Sequence, residues 1–330
     1  TQGLEIAGSR ISTTSSGPID AGSIELSAAG AAVSISNSQI SSNTENGTGN
    51  AGTIRMGSLI PVGSLSVSAG SEISTSSISS SGNGGEISLF VDGAVEILDG
   101  SRISSDAADG IAQGGDIFVR AESLRLVGDS SPGGVTPSAI TSSASNAGTA
   151  GRITLEVEQN LFLLDSSVDA SVGPINAGVI LRPVALGQIQ ILGNGLDVSL
   201  NGSTIAALST GEQDAGSIEL GSDADPLGSL SLSNGSTIST ISTFDGTVPD
   251  PLTGLADAGT ISIRTQNLAL TGDSRITSTA SGEGGALATG DAGTIDLVVS
   301  QNARLAASQI VTQADLGEGG DSNVDVAGDL

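Results

Sequence analysis

Two acidic pairs, Asp106 with Asp109 and Asp223 with Asp225, are the closest this chain comes to the paired carboxylates that glycoside hydrolysis needs. Each pair lies in a connector with Gly or Pro and reads first as a solvated turn. Sugar cleavage by proton abstraction beside Ca²⁺ needs a Lys or Arg base, and all ten basic residues here are Arg. His, Lys, Tyr, Trp and Cys are absent, which removes most general bases and all thiol and iron–sulfur chemistry. Four Phe are the only aromatic platforms for a sugar ring. The expectation is a non-enzymatic protein with no catalytic and no cofactor-binding residue.

Calcium is the better-founded ligand. Asp214, Asp257 and Asp291 hold equivalent places in a repeat and should stack on successive rungs. Like charges one strand apart repel unless a cation or hydrogen bonds intervene. The simpler reading is that Asp and Asn cap the backbone of a tight turn, and no Gly-Gly-x-Gly-x-Asp calcium repeat occurs. No metal ligand is therefore assigned, and Ca²⁺ remains the alternative. A hydroxyl column (Ser12, Ser41, Ser74, Ser104, Thr141, Ser239, Thr277) reads as facing outward, as in ice-binding solenoids, but Asp169, Ala206 and Val311 interrupt it. Arg102 is expected to pair across rungs with Glu72, a contact worth about 0.3 kcal/mol.

The elements that position these residues come from one small unit used many times. An Asp/Asn-Ala/Gly-Gly tripeptide precedes an x-Ile-x-apolar segment at Asp20-Ala21-Gly22, Asn50-Ala51-Gly52, Asn83-Gly84-Gly85, Asn176-Ala177-Gly178, Asp214-Ala215-Gly216, Asp257-Ala258-Gly259 and Asp291-Ala292-Gly293. Variants stand at Gln113-Gly114-Gly115 and Thr149-Ala150-Gly151. A recurrence every few tens of residues means a solenoid or an array. Each unit holds three short segments with apolar residues at alternate positions, as in Ile54-Arg55-Met56, Leu65-Ser66-Val67 and Ile73-Ser74-Thr75. Period two marks strands with one buried face.

In the third segment a Ser stands two residues before Ile or Val at ten places: Ser9, Ser38, Ser71, Ser101, Ser138, Ser166, Ser203, Ser236, Ser274 and Ser308. This reads as a corner whose hydroxyl bonds neighbouring backbone. A second small residue two positions after each Ile predicts a narrow interior column. Three strands per coil give a parallel β-helix of about ten three-stranded rungs, residues 1–330 forming a single domain. Length variation after the third strand puts variable loops on one edge, with a further insert at 131–137 and an irregular unit at 180–192.

The core must be thin and aliphatic, since aromatics make up 1% of residues. Ten Arg against 36 acids leave a net charge of -26, so nucleic acid and anionic lipid surfaces are not expected partners. No apolar run is long enough for a membrane span.

The Asn/Asp-Ala-Gly-x-Ile-x-Leu segment, the Leu-x-Leu-x-x-Gly-Ser-x-Ile-Ser-Thr stretch at 230–240 and the Gly/Ser/Asn-rich connectors resemble the repeats of filamentous-haemagglutinin-type exoproteins, especially cyanobacterial ones. The resemblance covers essentially the whole chain. It implies a right-handed β-helix, two-partner secretion through an outer-membrane transporter, and a place outside the cell or on its surface. The expected role is a structural or adhesive stalk, shaft or fibre. Its expected partners are neighbouring repeats of the same chain, further copies of itself, and surface polysaccharide.

Overall fold

The structure, a computed structural model, describes residues 3–78, 81–108, 112–129, 136–145, 148–173, 187–211, 213–244, 256–282 and 290–328. Among them there is no helix; every named strand pairs in parallel with its equivalent one turn away. The chain is a parallel β-helix, a β-solenoid with three faces.

The first face is built from strands such as Ile24–Leu26, Ile54–Met56, Ile87–Phe90, Gln188–Leu192 and Ser217–Leu220. The second carries Leu4–Ala7, Ala32–Ser36, Ser64–Ser68, Ala94–Leu98, Asp197–Asn201 and Leu227–Ser233. The third runs from Arg10–Ser15 through Gln39–Thr44, Glu72–Ser74, Arg102–Ser104 and Ser138–Thr141 to Gln309–Ala314, ten strands in register. Turns containing all three faces are fewer than the ten rungs expected. The first turn opens on its second face at Leu4, and the last strand, Ser322–Val326, belongs to the first face.

Alternation decides what is inside. Val33, Leu65, Val95, Leu124 and Leu161 stack along the second face, and Ile40, Ile73, Ile103, Ile140 and Val168 along the third, all at most 1% exposed. Each such side chain contributes roughly 2 kcal/mol of transfer free energy, and its equivalent one rung along supplies much of the surface that covers it. This interior is one continuous aliphatic cluster.

The tripeptide has a complete physical explanation. The Asp or Asn side chain accepts the backbone N–H of its equivalent on the next rung: Asp20 from Asn50 (2.7 Å), Asn50 from Asn83 (2.9 Å), Asp214 from Asp257 (2.9 Å) and Asp257 from Asp291 (2.8 Å). The Ala is buried, and its N–H donates to the next rung's carbonyl, as Ala51 to Asn83 and Ala258 to Asp291. The second Gly lies against the previous rung. A methyl group added to Gly52, Gly85, Gly115, Gly259 or Gly293 would overlap the carbonyl oxygen of Gly22, Gly52, Gly85, Gly216 or Gly259 in turn. Close approach, not a left-handed backbone, requires these glycines.

The serine corner is a second ladder. Ser38 N–H donates to Ser71 Oγ (3.1 Å), Ser71 N–H to Ser101 Oγ (3.1 Å) and Ser203 N–H to Ser236 Oγ (3.2 Å), while the Ser38, Ser71 and Ser236 hydroxyls donate to carbonyls two or three residues back on their own turns. The preceding residue or pair turns the chain in the left-handed region, as at Asn37, Ala69-Gly70, Asp99-Gly100 and Asn234-Gly235. The small interior column is as expected: Ser42, Thr75, Ser105, Ser142, Ala170, Ala207, Thr240 and Ser278 are at most 1% exposed. Ser105 and Ser142 hydroxyls donate to the carbonyls of Gly85 and Gly115. Hydroxyl and glycine columns are thus two sides of one contact.

Several expectations change. Two rungs lose the corner between first and second faces and run on as single strands, Ile117–Val127 and Arg152–Leu164, their register shifting between Ala121 and Ser123. Ile261–Thr271 and Ile295–Ala306 do the same. In the irregular unit Gly187, followed by Ile189 and Ile191, fills the glycine column: a methyl group on Gly216 would meet its carbonyl. The turn Asn176-Ala177-Gly178, with Pro183, Asp109, most of 131–137 and 244–257, and residues 283–289 of the segment 278–291, lies outside the described residues.

Candidate functional site

The residues singled out for chemistry are mostly spoken for by the fold. Asp223 is 88% exposed and accepts Arg264 Nε at 2.6 Å. The same guanidinium reaches Asp296 Oδ2 at 2.5 Å, so Arg264 ties three successive rungs together. Burial works against its charge, yet the Asp296 and Asp223 carboxylates outweigh burial and hold its pKa above the usual value. Asp225 instead closes a short turn with Ser222 and leans toward a groove described below. The pair Asp223 and Asp225 therefore does not converge on one point.

Asp106 accepts the Ser143 N–H (3.1 Å) and Oγ–H (2.6 Å) and pairs with Arg102 at 3.2 Å. Arg102 also donates to Thr141 Oγ1 at 2.7 and 3.1 Å. The expected Arg102–Glu72 pair is thus replaced, although the two residues are register partners; Glu72 takes the Gln39 amide at 3.0 Å. The Arg102 guanidinium turns away from Glu72 because Thr141 on the opposite neighbouring rung and Asp106 four residues along its own turn both accept from it. Asp169 completes this cluster: burial raises its pKa and Asp106 adds to the rise, while Ser171, which donates to it, and Arg102 lower it.

The outward hydroxyl column is corrected too. Ser41, Ser74 and Ser104 are 1–2% exposed, Ser239 is 4% and Thr141 is 9%, while Thr277 is half-buried and only Ser12, on the first rung, is exposed, so no regular hydroxyl face meets water. A short side chain between rungs about 4.8 Å apart, beside long neighbours such as Arg102, is occluded. The stacked Asp214, Asp257 and Asp291 carboxylates meet the next rung's N–H groups, the hydrogen-bonded alternative to a cation. Among the described residues no cluster of three acidic side chains is arranged to hold a metal.

A different surface emerges where the rungs are least alike. Phe90, Phe118 and Phe162 all point outward from three consecutive rungs. Phe90 and Phe118 rings sit 5.4 Å apart, tilted by 44°. Arg120 lies over Phe90 at 5.6 Å and Arg125 over Phe162 at 5.9 Å, while Arg125 also pairs with Glu96 at 3.6 Å. Two open grooves flank this platform. One, of about 370 Å³, is lined by Glu86, Phe90, Asp116, Phe118, Arg152 and Thr154. The other, of about 460 Å³, includes Arg120, Glu156, Glu158, Gly193, Asn194 and Asp225. No family model, curated protein or solved structure matches this chain. Its own residues carry the functional reading. The platform was missed in the sequence because the Phe residues fall on three different strands; their signal was rarity, four in 330 residues.

Proposed function

We propose that this chain is a non-enzymatic structural rod of the cell exterior, serving as a stalk, adhesin shaft or fibre. The observation that carries this reading is the direction of the bonding. Asp/Asn, Ser, Gly and aliphatic columns all run along the axis, and outer amides join them, Asn234 to Asn201 at 2.8 Å and Asn302 to Asn267 at 3.1 Å. A fold whose repeated residues serve rung-to-rung contact supplies length and stiffness at low sequence complexity. The resemblance to filamentous-haemagglutinin-type repeats supports a surface location and export through an outer-membrane transporter. Neighbouring rungs, from the same chain or another copy, are the proposed structural partners: Leu305 and Val324 in the last turn are 43% and 42% exposed, apolar surface that a further rung would cover.

The test is antibody labelling of intact source cells against this chain, with negative-stain microscopy of the labelled material. Label on unpermeabilised cells, along narrow projections, is the expected result. Label only after permeabilisation would refute the surface location, and label on compact particles would refute the rod.

A further inference from the structure

We infer that the outer platform at Phe90, Phe118 and Arg120 is a binding site for an extended neutral oligosaccharide. The corner between first and second faces is erased at two places in the rod, and at only one of them does the composition of the outer surface also depart from the repeat. The corner between two faces is erased in Ile117–Val127 and Arg152–Leu164, which leaves outer strands of 11 and 13 residues side by side. On or beside those strands stand all three Phe whose side chains are described, together with Arg120, Arg125 and Arg152 from a total of ten Arg. A purely architectural rung needs none of these, since the interior is already filled by aliphatic residues. Large aromatics half-exposed on an acidic rod cost solubility without adding to the core.

The chemistry of the lining selects the ligand. Phenylalanine faces offer flat apolar area to the C–H faces of a pyranose ring. Arg120 and Arg152 form no ion pair with another described residue, which leaves guanidinium donors for hydroxyl oxygens. Glu86, Asp116, Glu156 and Glu158 line the same grooves and accept from hydroxyl protons. A polyanion would meet these carboxylates, on a chain of net charge -26, and a polycation would meet the guanidiniums. A neutral polyol uses both sets, because every hydroxyl is donor and acceptor. The grooves are open and adjoin along the rungs, which suits a chain of several sugars better than a single one.

The experiment is affinity electrophoresis of the 330-residue chain through gels holding β-glucan, galactomannan, mannan or starch, with polygalacturonate and chitosan oligomers as charged arms. Retardation by at least one neutral glycan is expected. Phe118→Leu, which keeps apolar bulk but removes the flat ring, and Arg120→Ala should each weaken it about tenfold, the factor set by about 1.4 kcal/mol of lost stacking or hydrogen bonding. Arg275→Ala, on the third face, should leave it unchanged, and matching melting curves should show that the variants are folded. No retardation by any neutral glycan, retardation only by a charged arm, or undiminished retardation in folded Phe118→Leu would overturn the assignment. None of these outcomes bears on whether the rod stands at the cell surface.

Discussion

At the scale of single residues, the repeat is specified by small polar groups whose two hydrogen-bonding sides are both used. Ser71 Oγ accepts from Ser38 N–H and donates to the Ser68 carbonyl at 2.6 Å, at 1% exposure. Ser71→Ala should cost about 1–3 kcal/mol, chiefly by leaving the buried Ser38 N–H without an acceptor, since the Ser68 carbonyl keeps the N–H groups of Asn37 and Ser71. Ser71→Leu should cost more, because a branched side chain is forced into a packed corner; thermal melting within a degree or two of the parent would show the corner faces solvent. Asp169 behaves oppositely, since its carboxylate is disfavoured in the folded state. Burial raises its folded pKa above the unfolded 3.8, so the native state holds the proton more tightly. Stability from this group falls as pH rises from 3.8 through the raised value. Asp169→Asn should therefore melt higher than the parent at pH 8, with the gap closing toward pH 3.5. A gap independent of pH would mean that Asp169 is not desolvated.

At the scale of strands and turns, the acidic ladder has hydrogen-bond partners of its own. Asp214, Asp257 and Asp291 are satisfied by backbone N–H groups at 2.7–2.9 Å, and hydrogen bonds to a carboxylate offset its repulsion from the next one. Chelator should thus leave the melting temperature nearly unchanged, because carboxylates already satisfied by backbone N–H groups need no bound ion for linkage stabilisation. A large loss in chelator, restored by Ca²⁺, would overturn this account. The same ladders explain why corners can disappear without breaking the solenoid. Where Ile117–Val127 and Arg152–Leu164 run straight, Ala121 and Val157 stay buried at 1%, so the interior column continues while only the outer surface changes shape.

For the whole molecule, charge works against the fold. A net charge of -26 is spread along parallel rungs, and only five ion pairs occur among the described residues. Raising salt from about 0.01 M to 0.15 M shortens the screening length from about 30 Å to about 8 Å, which weakens repulsion between rungs more than it weakens those few pairs. The melting temperature should rise over that range. A fall would show that ion pairs such as Arg264 with Asp223 and Asp296 dominate self-repulsion.

The sequence by itself determined the fold class, the three faces and nearly every inward side chain. Those depend on period two and on small residues recurring once per turn, and both are local signals. Ile54, Leu65 and Ile73 are buried as the alternation requires, and the serine corner does what its spacing implies. Tertiary structure alone decided what depends on distances between rungs: that the tripeptide Gly is needed for a carbonyl at its back, that Gly187 fills the column in the irregular unit, that Ser41 and Ser74 are covered, and that Arg102 reaches Thr141 and not Glu72. It also brought Phe90, Phe118 and Phe162, scattered over more than 70 residues of chain, onto adjoining rungs. The reason is geometric. In a solenoid, residues about 30 or more positions apart become nearest neighbours at about 4.8 Å, and which side chain meets which is settled by the length of each turn.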